Sequence, residues 1–387
     1  MMPRPGWEYN RKLMAKIHLI NFCRKFTVNT LFFLIPLHLL KIGLNGWQIG
    51  AVVSFYGIAP LIFSFPVGWI NDRFSIRRII QGAISLLCLL FLSLAFVNDF
   101  YILCFVFLLF GIANNALDVS LNSLYYKDDS PLDLNKKYGT LAFWLALGMA
   151  VGTISGGTLV HLASFRILFI VYSAFLLLVL SFTRRVGKEK FNMISIKQYR
   201  IDLVNRKTIL FSILIFVLAL HWGAEGTVYS PFLKSYFQLN DFQLSLYISI
   251  SLFFLAFSGL AIVFLRFDAR LNQRIFLFAL FISGSGHILM VNPNVYVSLV
   301  FRIVHEIGDG LMGALIFLFI SRLFQKESIG GSSGILLALM TLGHMLGAQI
   351  FAPIGYRLGL HYPFIISGFL LIADAAYGYF LFKKISF

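Results

Sequence analysis

Charged residues are scarce in this sequence of 387 residues, of which only 12% are Asp, Glu, Lys or Arg. Soluble proteins carry about 25%. Acidic residues are the scarcer kind, with 16 Asp and Glu against 32 Lys and Arg. Hydrophobic residues make up 59% of the chain, and apolar runs of about 20 residues, long enough to cross a bilayer as a helix, recur from end to end. This composition excludes an ordinary water-soluble domain and indicates an integral membrane protein.

Cysteine is rare in the sequence, with three residues, and two common cofactor motifs are absent. Cys23, Cys88 and Cys104 each stand alone in an apolar run, so we predict neither a metal site nor a disulfide framework. The sequence has no GxxxxGK[ST] run for ATP and no HExxH run for zinc. We therefore expect no cofactor and no metal. A membrane enzyme is the least favoured class, because the polar residues are spread over several predicted helices.

The apolar runs predict twelve membrane-spanning helices, separated by turn sequences such as NGW and NPN. The longest polar connection, 184–207, falls between the sixth and seventh helices. It divides the chain into a bundle at 1–183, a cytoplasmic connecting loop, and a second bundle at 208–387. We expect the basic loop to lie along anionic lipid in preference to binding a soluble partner. The predicted helices are 17–40, 47–70, 78–97, 100–125, 138–160, 164–183, 208–232, 241–265, 274–291, 295–323, 330–355 and 361–383.

Basic residues are unevenly distributed between the connections. If both termini are cytoplasmic, 27 of the 32 Lys and Arg belong to inside segments, four belong to outside loops, and Arg302 lies in a span. Arg24 and Lys25 are counted as inside, although they fall within the first predicted helix, 17–40. Because cytoplasmic connections collect Lys and Arg, we expect an inner-membrane protein with both termini in the cytoplasm. The net charge of +16 therefore requires no nucleic-acid partner.

The loop after the second predicted helix reads GWINDRFSIRR and carries Gly68, Asp72, Arg73, Arg77 and Arg78. This loop resembles the signature of the major facilitator superfamily, except that a serine, residue 75, stands where glycine is usual. The resemblance implies an all-α membrane fold of twelve helices in two pseudo-symmetric six-helix bundles. It also implies that this loop is a gate, which holds the two halves together on the cytoplasmic side.

The corresponding loop of the second half reads RFDARLNQR, from Arg266 to Arg274. Aligning Asp72 with Asp268 gives an offset of 196 residues, about half the chain, and this offset also aligns Arg78 with Arg274. The match is a weak internal repeat of the kind that transporters show between their halves. We therefore predict that the two loops occupy equivalent positions.

Polar side chains recur at helical spacing within four predicted helices. Residues three, four and seven positions apart share one face of a helix. Charged side chains within a membrane face water or a partner, and they mark ion or substrate paths. The four stripes are Arg302, His305, Glu306 and Asp309 in the tenth helix, Asn115, Asp118 and Asn122 in the fourth, His221, Glu225 and Tyr229 in the seventh, and Asn21, Lys25 and Asn29, beside Arg24, in the first.

In the superfamily, the first, fourth, seventh and tenth helices line a central cavity. The resemblance therefore implies a substrate and proton cavity that contains Arg24, Lys25, Asn115, Asp118, Asn122, His221, Glu225, Tyr229, Arg302, His305, Glu306 and Asp309. Structural interpretations remain open for some of them, since Arg302 and Glu306 could form an i,i+4 pair. His344 and Asp374, each isolated in one of the last two helices, fit a structural role better.

Proton-coupled transport is the function that these polar faces favour. Low-dielectric surroundings favour the neutral form of a carboxylate and a nearby cation favours the ionised form, so a change of conformation can change proton binding. We expect a secondary active transporter that moves a small polar or charged solute by alternating access, with uptake by symport preferred. The run VHEIGDG at 304–310 resembles helix ten of lactose-permease-like and phenylpropionate-type proton symporters.

Two other transport functions remain open. The run GMAVGTISGG, from Gly148 to Gly157, resembles the spaced glycines of drug/proton antiporters, but Thr153 replaces their proline. The fourth predicted helix also lacks the arginine that drug antiporters usually carry. The glycine spacing is equally typical of close helix packing. The third function, lipid flipping, would need an apolar lateral groove. For all three we expect a monomer whose partners are its solute, protons and membrane lipid.

Overall fold

The computed structural model describes residues 6–128, 132–183 and 196–384, and this part of the chain is helical almost throughout. It contains thirteen α-helices and one short 3-10 helix, Ile262–Phe264. The α-helices are α1 Gly6–Lys41, α2 Gly46–Asn71, α3 Ile76–Leu94, α4 Phe100–Lys127, α5 Leu134–Leu162, α6 Phe165–Thr183, α7 Ile196–Val204, α8 Arg206–Tyr236, α9 Asp241–Ala261, α10 Ala269–Leu289, α11 Val295–Leu323, α12 Ile329–Leu358 and α13 Tyr362–Lys384.

Polar residues at the turns set where several helices begin. Asn45 and Asn240 each accept a hydrogen bond from the backbone of a glutamine three residues later, and each glutamine side chain accepts one in return. These capping boxes satisfy backbone N–H groups that the first turn leaves unpaired. Every predicted span corresponds to a helix of the structure, and the largest boundary difference is at α1.

Helix α1 begins at Gly6, eleven residues before the predicted start at 17. Arg24 and Lys25 therefore lie well inside α1 and do not belong to a cytoplasmic flank. The uneven distribution of basic residues persists without them. These two cations consequently need a polar environment within the bundle.

Ten of the described helices are long and apolar enough to cross a membrane. Helices α1 and α10 are not among the ten, although each has at least 21 residues. Both carry polar residues along their length, which lowers their hydropathy. The structure therefore defines a multi-pass helical membrane protein, and the count of twelve spans remains a prediction.

The short helix α7, Ile196–Val204, was not predicted. Within the predicted connecting loop, 184–195 lies outside the described residues, and the last three residues, 205–207, cap and begin α8. Ile201 and Val204 are exposed on α7, whereas Tyr199 is only 2% exposed. The helix packs against α8 and α12. The segment therefore binds the bundle with one face, and only its other face is available to the lipid surface that we predicted for it.

Helix pairing follows the same order in the two parts of the chain. In the first part α1 packs on α5, α2 on α4, and α3 on both α4 and α6. In the second part α8 packs on α12, α9 on α11, and α10 on both α11 and α13. The two parts meet mainly where α2 contacts α12 and α5 contacts α9. The polar faces of α1, α4, α8 and α11 lie within these bundles.

The spaced glycines of α5 bring its backbone against α1. A methyl group added at Gly148 or Gly152 would collide with the main-chain carbonyls of Phe22 or Phe26, and one added at Gly156 would collide with Thr30. Only glycine permits this separation, as in other tightly packed membrane helices. Close packing therefore accounts for the glycine run, which gives no independent support to antiport.

Candidate functional site

Arg302 of α11 is the centre of a buried ion-pair group. Its guanidinium donates to Oε1 of Glu225 on α8 and to Oε1 of Glu306, one turn further along α11. The guanidinium also lies over the ring of Tyr229, 4.3 Å from its centroid. The predicted pair between Arg302 and Glu306 therefore exists, but it extends across to a second helix.

His305 extends this group towards α10. Its Nε2 lies 2.9 Å from Oε1 of Glu225, and its Nδ1 lies 3.0 Å from the hydroxyl of Ser283. The same hydroxyl donates to Oδ1 of Asp309 at 2.7 Å. Ser283 thus connects the two α11 side chains His305 and Asp309.

Asp309 has further partners on α8. Its Oδ2 accepts a hydrogen bond from the indole N–H of Trp222 at 3.2 Å and lies 3.2 Å from Nε2 of His221. His305 Nε2 is 3.8 Å from the same oxygen. A continuous series of polar contacts therefore connects Glu225 with Asp309 and His221.

His287 of α10 completes the group, although it was not among the residues predicted from the sequence. Its ring stacks on His305 with centroids 4.3 Å apart, and its Nε2 lies 3.7 Å from Glu225 Oε1. The available signal for His287 was a histidine inside a predicted membrane span, in the run SGSGHIL. His287 lies in the ninth predicted helix, which is outside the four helices that line the cavity in the superfamily. We call the full set the histidine–carboxylate cluster: His221, Glu225, His287, Arg302, His305, Glu306 and Asp309.

The cluster contains three ligand atoms, from His221, Glu225 and His305, that all lie within 4.8 Å of one another. This spacing is compatible with a metal ion, which the sequence did not predict. However, Arg302 donates to the same Glu225 carboxylate, and its fixed positive charge opposes a second cation there. The arrangement is better suited to exchange of protons, because histidines and carboxylates alternate at hydrogen-bonding distance.

Arg24 of α1 organises a second charged group in the other half. Its Nη2 lies 2.7 Å from Oδ1 of Asp118 on α4, and its Nη1 donates to Oδ1 of Asn114 at 3.3 Å. Asn122 donates to the same Asp118 oxygen at 3.2 Å, and Asn114 donates to the hydroxyl of Tyr56 at 2.8 Å. The predicted residues Arg24, Asp118 and Asn122 therefore lie together.

Asn115 and Lys25 do not join this group. Asn115 accepts a hydrogen bond from Ser64 of α2 at 2.7 Å, so its neighbour Asn114 takes the place that we predicted for it. Within the described residues, Lys25 forms no hydrogen bond and no ion pair. A helical face estimated from spacing alone is uncertain by one residue, and here that difference changes which amide faces Arg24.

A small cavity lies between α1 and α8, where the two halves face each other. Its lining includes Phe32, Phe33 and Pro36 from α1, and Glu225 and Ser230 from α8. Its room is on the order of one water molecule, so the halves must separate slightly before a solute can enter. The cavity brings the histidine–carboxylate cluster within reach of a ligand.

His344 of α12 lies beside this cavity. Its ring meets Phe32 with centroids 5.8 Å apart, and a methyl group on Gly226 would come within 2.8 Å of its Nε2. We expected His344 to be an isolated structural residue. The structure places it next to the candidate site, against Phe32 and Gly226.

Asp72, in the loop after α2, is fully buried at the interface of the two halves. Its Oδ1 accepts from Lys127 Nζ at 2.5 Å and from the backbone N–H of Gly330 at 3.2 Å. Its Oδ2 accepts from Gly331 N–H at 2.8 Å and from the Tyr199 hydroxyl at 2.9 Å. The two glycines open α12, whose first N–H groups and dipole favour an anion. We call these five residues the gate cluster.

Helix α7 binds the start of α12 at a second point. Asp202 accepts hydrogen bonds from the hydroxyls of Ser328 at 2.5 Å and Ser332 at 2.9 Å. The Tyr199 ring covers Gly331, where an added methyl group would lie 2.6 Å from the ring. Tyr199 thus contacts both Asp72 and α12, although 127 residues separate it from Asp72.

The other predicted gate residues have different surroundings. Gly68 lets α2 approach the Gly330 backbone, since an added methyl group would collide with it. Arg73 stacks on the Trp69 ring at 4.1 Å, Arg77 is half-buried and Arg78 is exposed. Asp72 bonds directly across the halves, to the N–H groups of Gly330 and Gly331.

Asp268, which aligns with Asp72 in the sequence, has a different role. Its side chain caps α10 by accepting from the Leu271 N–H at 2.6 Å. The contact across the halves is made nearby, where Asn135 and Asn272 exchange side-chain hydrogen bonds of 3.1 and 2.8 Å. Asp133 adds a bond from the Phe267 N–H at 3.1 Å. The two aligned aspartates therefore make different contacts.

The helices and the charged groups within them define a multi-pass membrane protein with a polar centre between two parts. The model of the Major Facilitator Superfamily matches residues 17–192 and 211–385, and the chain belongs to that family. Its members are membrane transporters, so the predicted family and the transporter class are confirmed. No curated protein sequence matches the chain. The crystal structure of the human organic anion transporter MFSD10 (TETRAN) is similar in fold, with a TM-score of 0.77 and 14% identity over 97% of this chain and 100% of that chain.

Proposed function

We propose that the protein takes up a small polar or charged solute by proton symport, with alternating access across the inner membrane. The histidine–carboxylate cluster is the observation that carries this proposal. It connects α8, α10 and α11 through side chains that bind and release protons. Glu225 belongs both to the cluster and to the cavity lining, so it can couple solute binding to protonation.

The gate cluster supports the alternating-access part of the proposal. It joins α2, α4, α7 and α12 on the face that we propose to be cytoplasmic. The Asn135–Asn272 exchange joins the halves on the same face. At the opposite face, Ser230 donates to the Phe33 carbonyl at 3.4 Å, which is a weaker contact. The conformation is therefore closed more firmly towards the proposed cytoplasmic side.

The two-part organisation is also part of the proposal. The family match falls in two segments, which support bundles at 1–183 and 208–387 joined by 184–207. The recurring helix pairs support a pseudo-symmetric relation between them. Twelve spans with both termini in the cytoplasm would account for the distribution of basic residues.

Transport into proteoliposomes with an imposed pH gradient tests the function. A panel of labelled metabolites is offered outside, with the interior more alkaline than the exterior. We expect uphill accumulation of a solute that stops when a protonophore abolishes the gradient. Accumulation that ignores the gradient would exclude proton coupling, even if the protein carries the solute.

Drug/proton antiport is the second candidate function, because an apolar cavity adjoins the polar one. It is lined by α1, α2 and α4, with Leu31, Val53 and Phe110 among its residues, and it shares Phe32 with the cavity at Glu225. An amphipathic cation could place its apolar part there. Proton-driven extrusion of lipophilic cations, without accumulation of any polar metabolite, would favour this alternative. Phospholipid movement between leaflets would favour the third alternative, a flippase.

A further inference from the structure

Lys25 is a membrane-embedded lysine that forms no hydrogen bond and no ion pair within the described residues. It lies at the middle of α1, on the turn that follows Asn21. Arg24, its neighbour, is paired with Asp118, and Arg302 is paired with two glutamates. Among the charged residues proposed for the cavity, Lys25 alone forms neither a hydrogen bond nor an ion pair within the described residues. The Asp118 carboxylate, which Arg24 already pairs, attracts it only at longer range. A bare ammonium in this position requires water or an anion.

The face of α1 that carries Lys25 leads to the cavity at Glu225. Lys25, Asn29, Phe32 and Pro36 follow i, i+4, i+7 and i+11 and so form one stripe. Phe32 and Pro36 line the cavity, and all four residues are half-buried. Asn29, like Lys25, forms no hydrogen bond with the described part of the chain. The stripe therefore runs from the cavity at Phe32 and Pro36 to Lys25, whose Cβ lies beside Gly148 of α5.

The opposite wall offers one unused acceptor. Arg302, His305 and His287 all approach Oε1 of Glu225. No contact within the described residues involves Oε2, although Glu225 is 15% exposed and lines the cavity. One oxygen thus holds the carboxylate in place while the other is available to a donor from a ligand.

We infer that the transported solute is a small carboxylate that also carries a hydrogen-bond donor, an amine or a hydroxyl, at its far end. The carboxylate binds the Lys25 ammonium and the Asn29 amide, while the donor binds Oε2 of Glu225. The inference rests on the proposed transport function and specifies its substrate class. It follows from complementarity, since these are the polar groups along the stripe that the protein itself leaves unsatisfied.

The geometry sets the distance that such a solute must cover. Lys25 and Phe32 are seven residues apart on α1, which corresponds to about 10 Å along the helix axis. Gly226, next to Glu225, is at the level of the Phe32 ring. The flexible lysine side chain covers part of this distance. A series of ligands of increasing length can therefore measure the distance that remains between the Lys25 ammonium and Glu225.

Binding of ω-amino carboxylates with four to eight carbon atoms tests the inference. Calorimetry on the purified protein in detergent is used, with the ω-hydroxy acids and the methyl esters as comparison ligands. This measurement needs no gradient, so its failure is distinguishable from a failure of proton-coupled transport. We expect binding to peak at one chain length and to weaken roughly tenfold or more when esterification removes the carboxylate.

Matched variants connect the binding to Lys25. Lys25→Gln should lower the affinity for the acid to that for its methyl ester and leave the affinity for the ester unchanged. Lys25→Arg should retain much of the affinity for the acid. Lys41→Gln, on the exposed end of the same helix, is the control and should bind like the wild-type protein. The inference is overturned if no acid in the series binds, if the ester binds as tightly as the acid, or if Lys25→Gln behaves like Lys41→Gln.

Discussion

The hydroxyl of Tyr199 donates a hydrogen bond of 2.9 Å to Oδ2 of Asp72, and this bond joins the segment between the halves to the gate cluster. Tyr199 is buried, and burial together with the adjacent Asp72 charge raises the pKa of its hydroxyl above the ordinary value of 10. The raised pKa keeps the hydroxyl protonated at and above neutral pH. Loss of the tyrosine proton therefore does not break this bond at neutral pH.

Tyr199→Phe should loosen the gate without unfolding the protein, because the ring still packs on Gly331. A hydrogen bond to a charged group contributes about 1.5–3 kcal/mol, so the population open on this side should rise roughly tenfold or more. A cysteine at position 317, where Phe317 meets Tyr126 of α4, reports the opening through its labelling rate with an impermeant thiol reagent. Tyr101→Phe, at an exposed tyrosine, is the control. Equal labelling rates in the two variants would remove Tyr199 from the gate.

Asp72→Asn should slow transport while leaving solute binding largely intact. The change removes the carboxylate charge that pairs with the buried Lys127 ammonium, and breaking a buried pair costs about 3–5 kcal/mol in soluble proteins. The expected loss is in the closed conformation, which Asp72 stabilises from a position outside the cavity. Initial uptake rates and calorimetric binding are compared in the same preparation. Normal transport by this variant would show that Asp72 does not act as a gate.

Glu225→Gln, Glu306→Gln and Asp309→Asn each remove one titratable carboxylate and preserve its shape. At least one of them should abolish pH-driven accumulation and retain exchange of labelled for unlabelled solute, because exchange needs no net proton movement. Glu327→Gln, at an exposed glutamate, controls for a simple loss of charge. If all three carboxylate variants concentrate solute normally, the coupling proton must bind elsewhere, and Asp118 would be tested next.

Gly152→Ala should destabilise the protein, because the added methyl group has no room between α5 and α1. Overpacking of this kind costs about 1–3 kcal/mol. Gly82→Ala in α3 is the matched control, since nothing lies within 4 Å of its added methyl group. There the higher helix propensity of alanine should leave stability unchanged or raise it. Thermal unfolding in detergent compares the two, and equal melting temperatures would contradict the packing at Gly152.

The sequence permitted prediction of the spans because membrane helices are specified locally. Long apolar runs and asparagine caps such as Asn45 and Asn240 fix position and length with little help from distant residues. Helix α7 has nine residues and mixed polarity, so no such local signal exists. Its burial depends on Tyr199 reaching Asp72, a contact between segments far apart in the chain.

The candidate site was only partly predictable, for a related reason. Helical spacing correctly grouped Arg302 with Glu306 on α11, because that relation is local. It could not indicate that His287 of α10 stacks on His305, which depends on how α10 packs against α11. Nor could it decide between Asn114 and Asn115, which point to different neighbours from adjacent positions.

The glycine contacts between α5 and α1 have a mechanical consequence. At Gly148 and Gly152 the main chain of α5 contacts the main chain of α1 directly. No flexible side chains separate the two helices there, so they cannot slide easily past each other. Tight interiors transmit displacement instead of absorbing it. We therefore expect α1 and α5 to move as one rigid unit. The Lys25 stripe lies on α1, and the contact with α9 is made by α5. A displacement of α1 at the cavity is thus transmitted to the opposite half through α5. This helix of 29 residues is about 40 Å long.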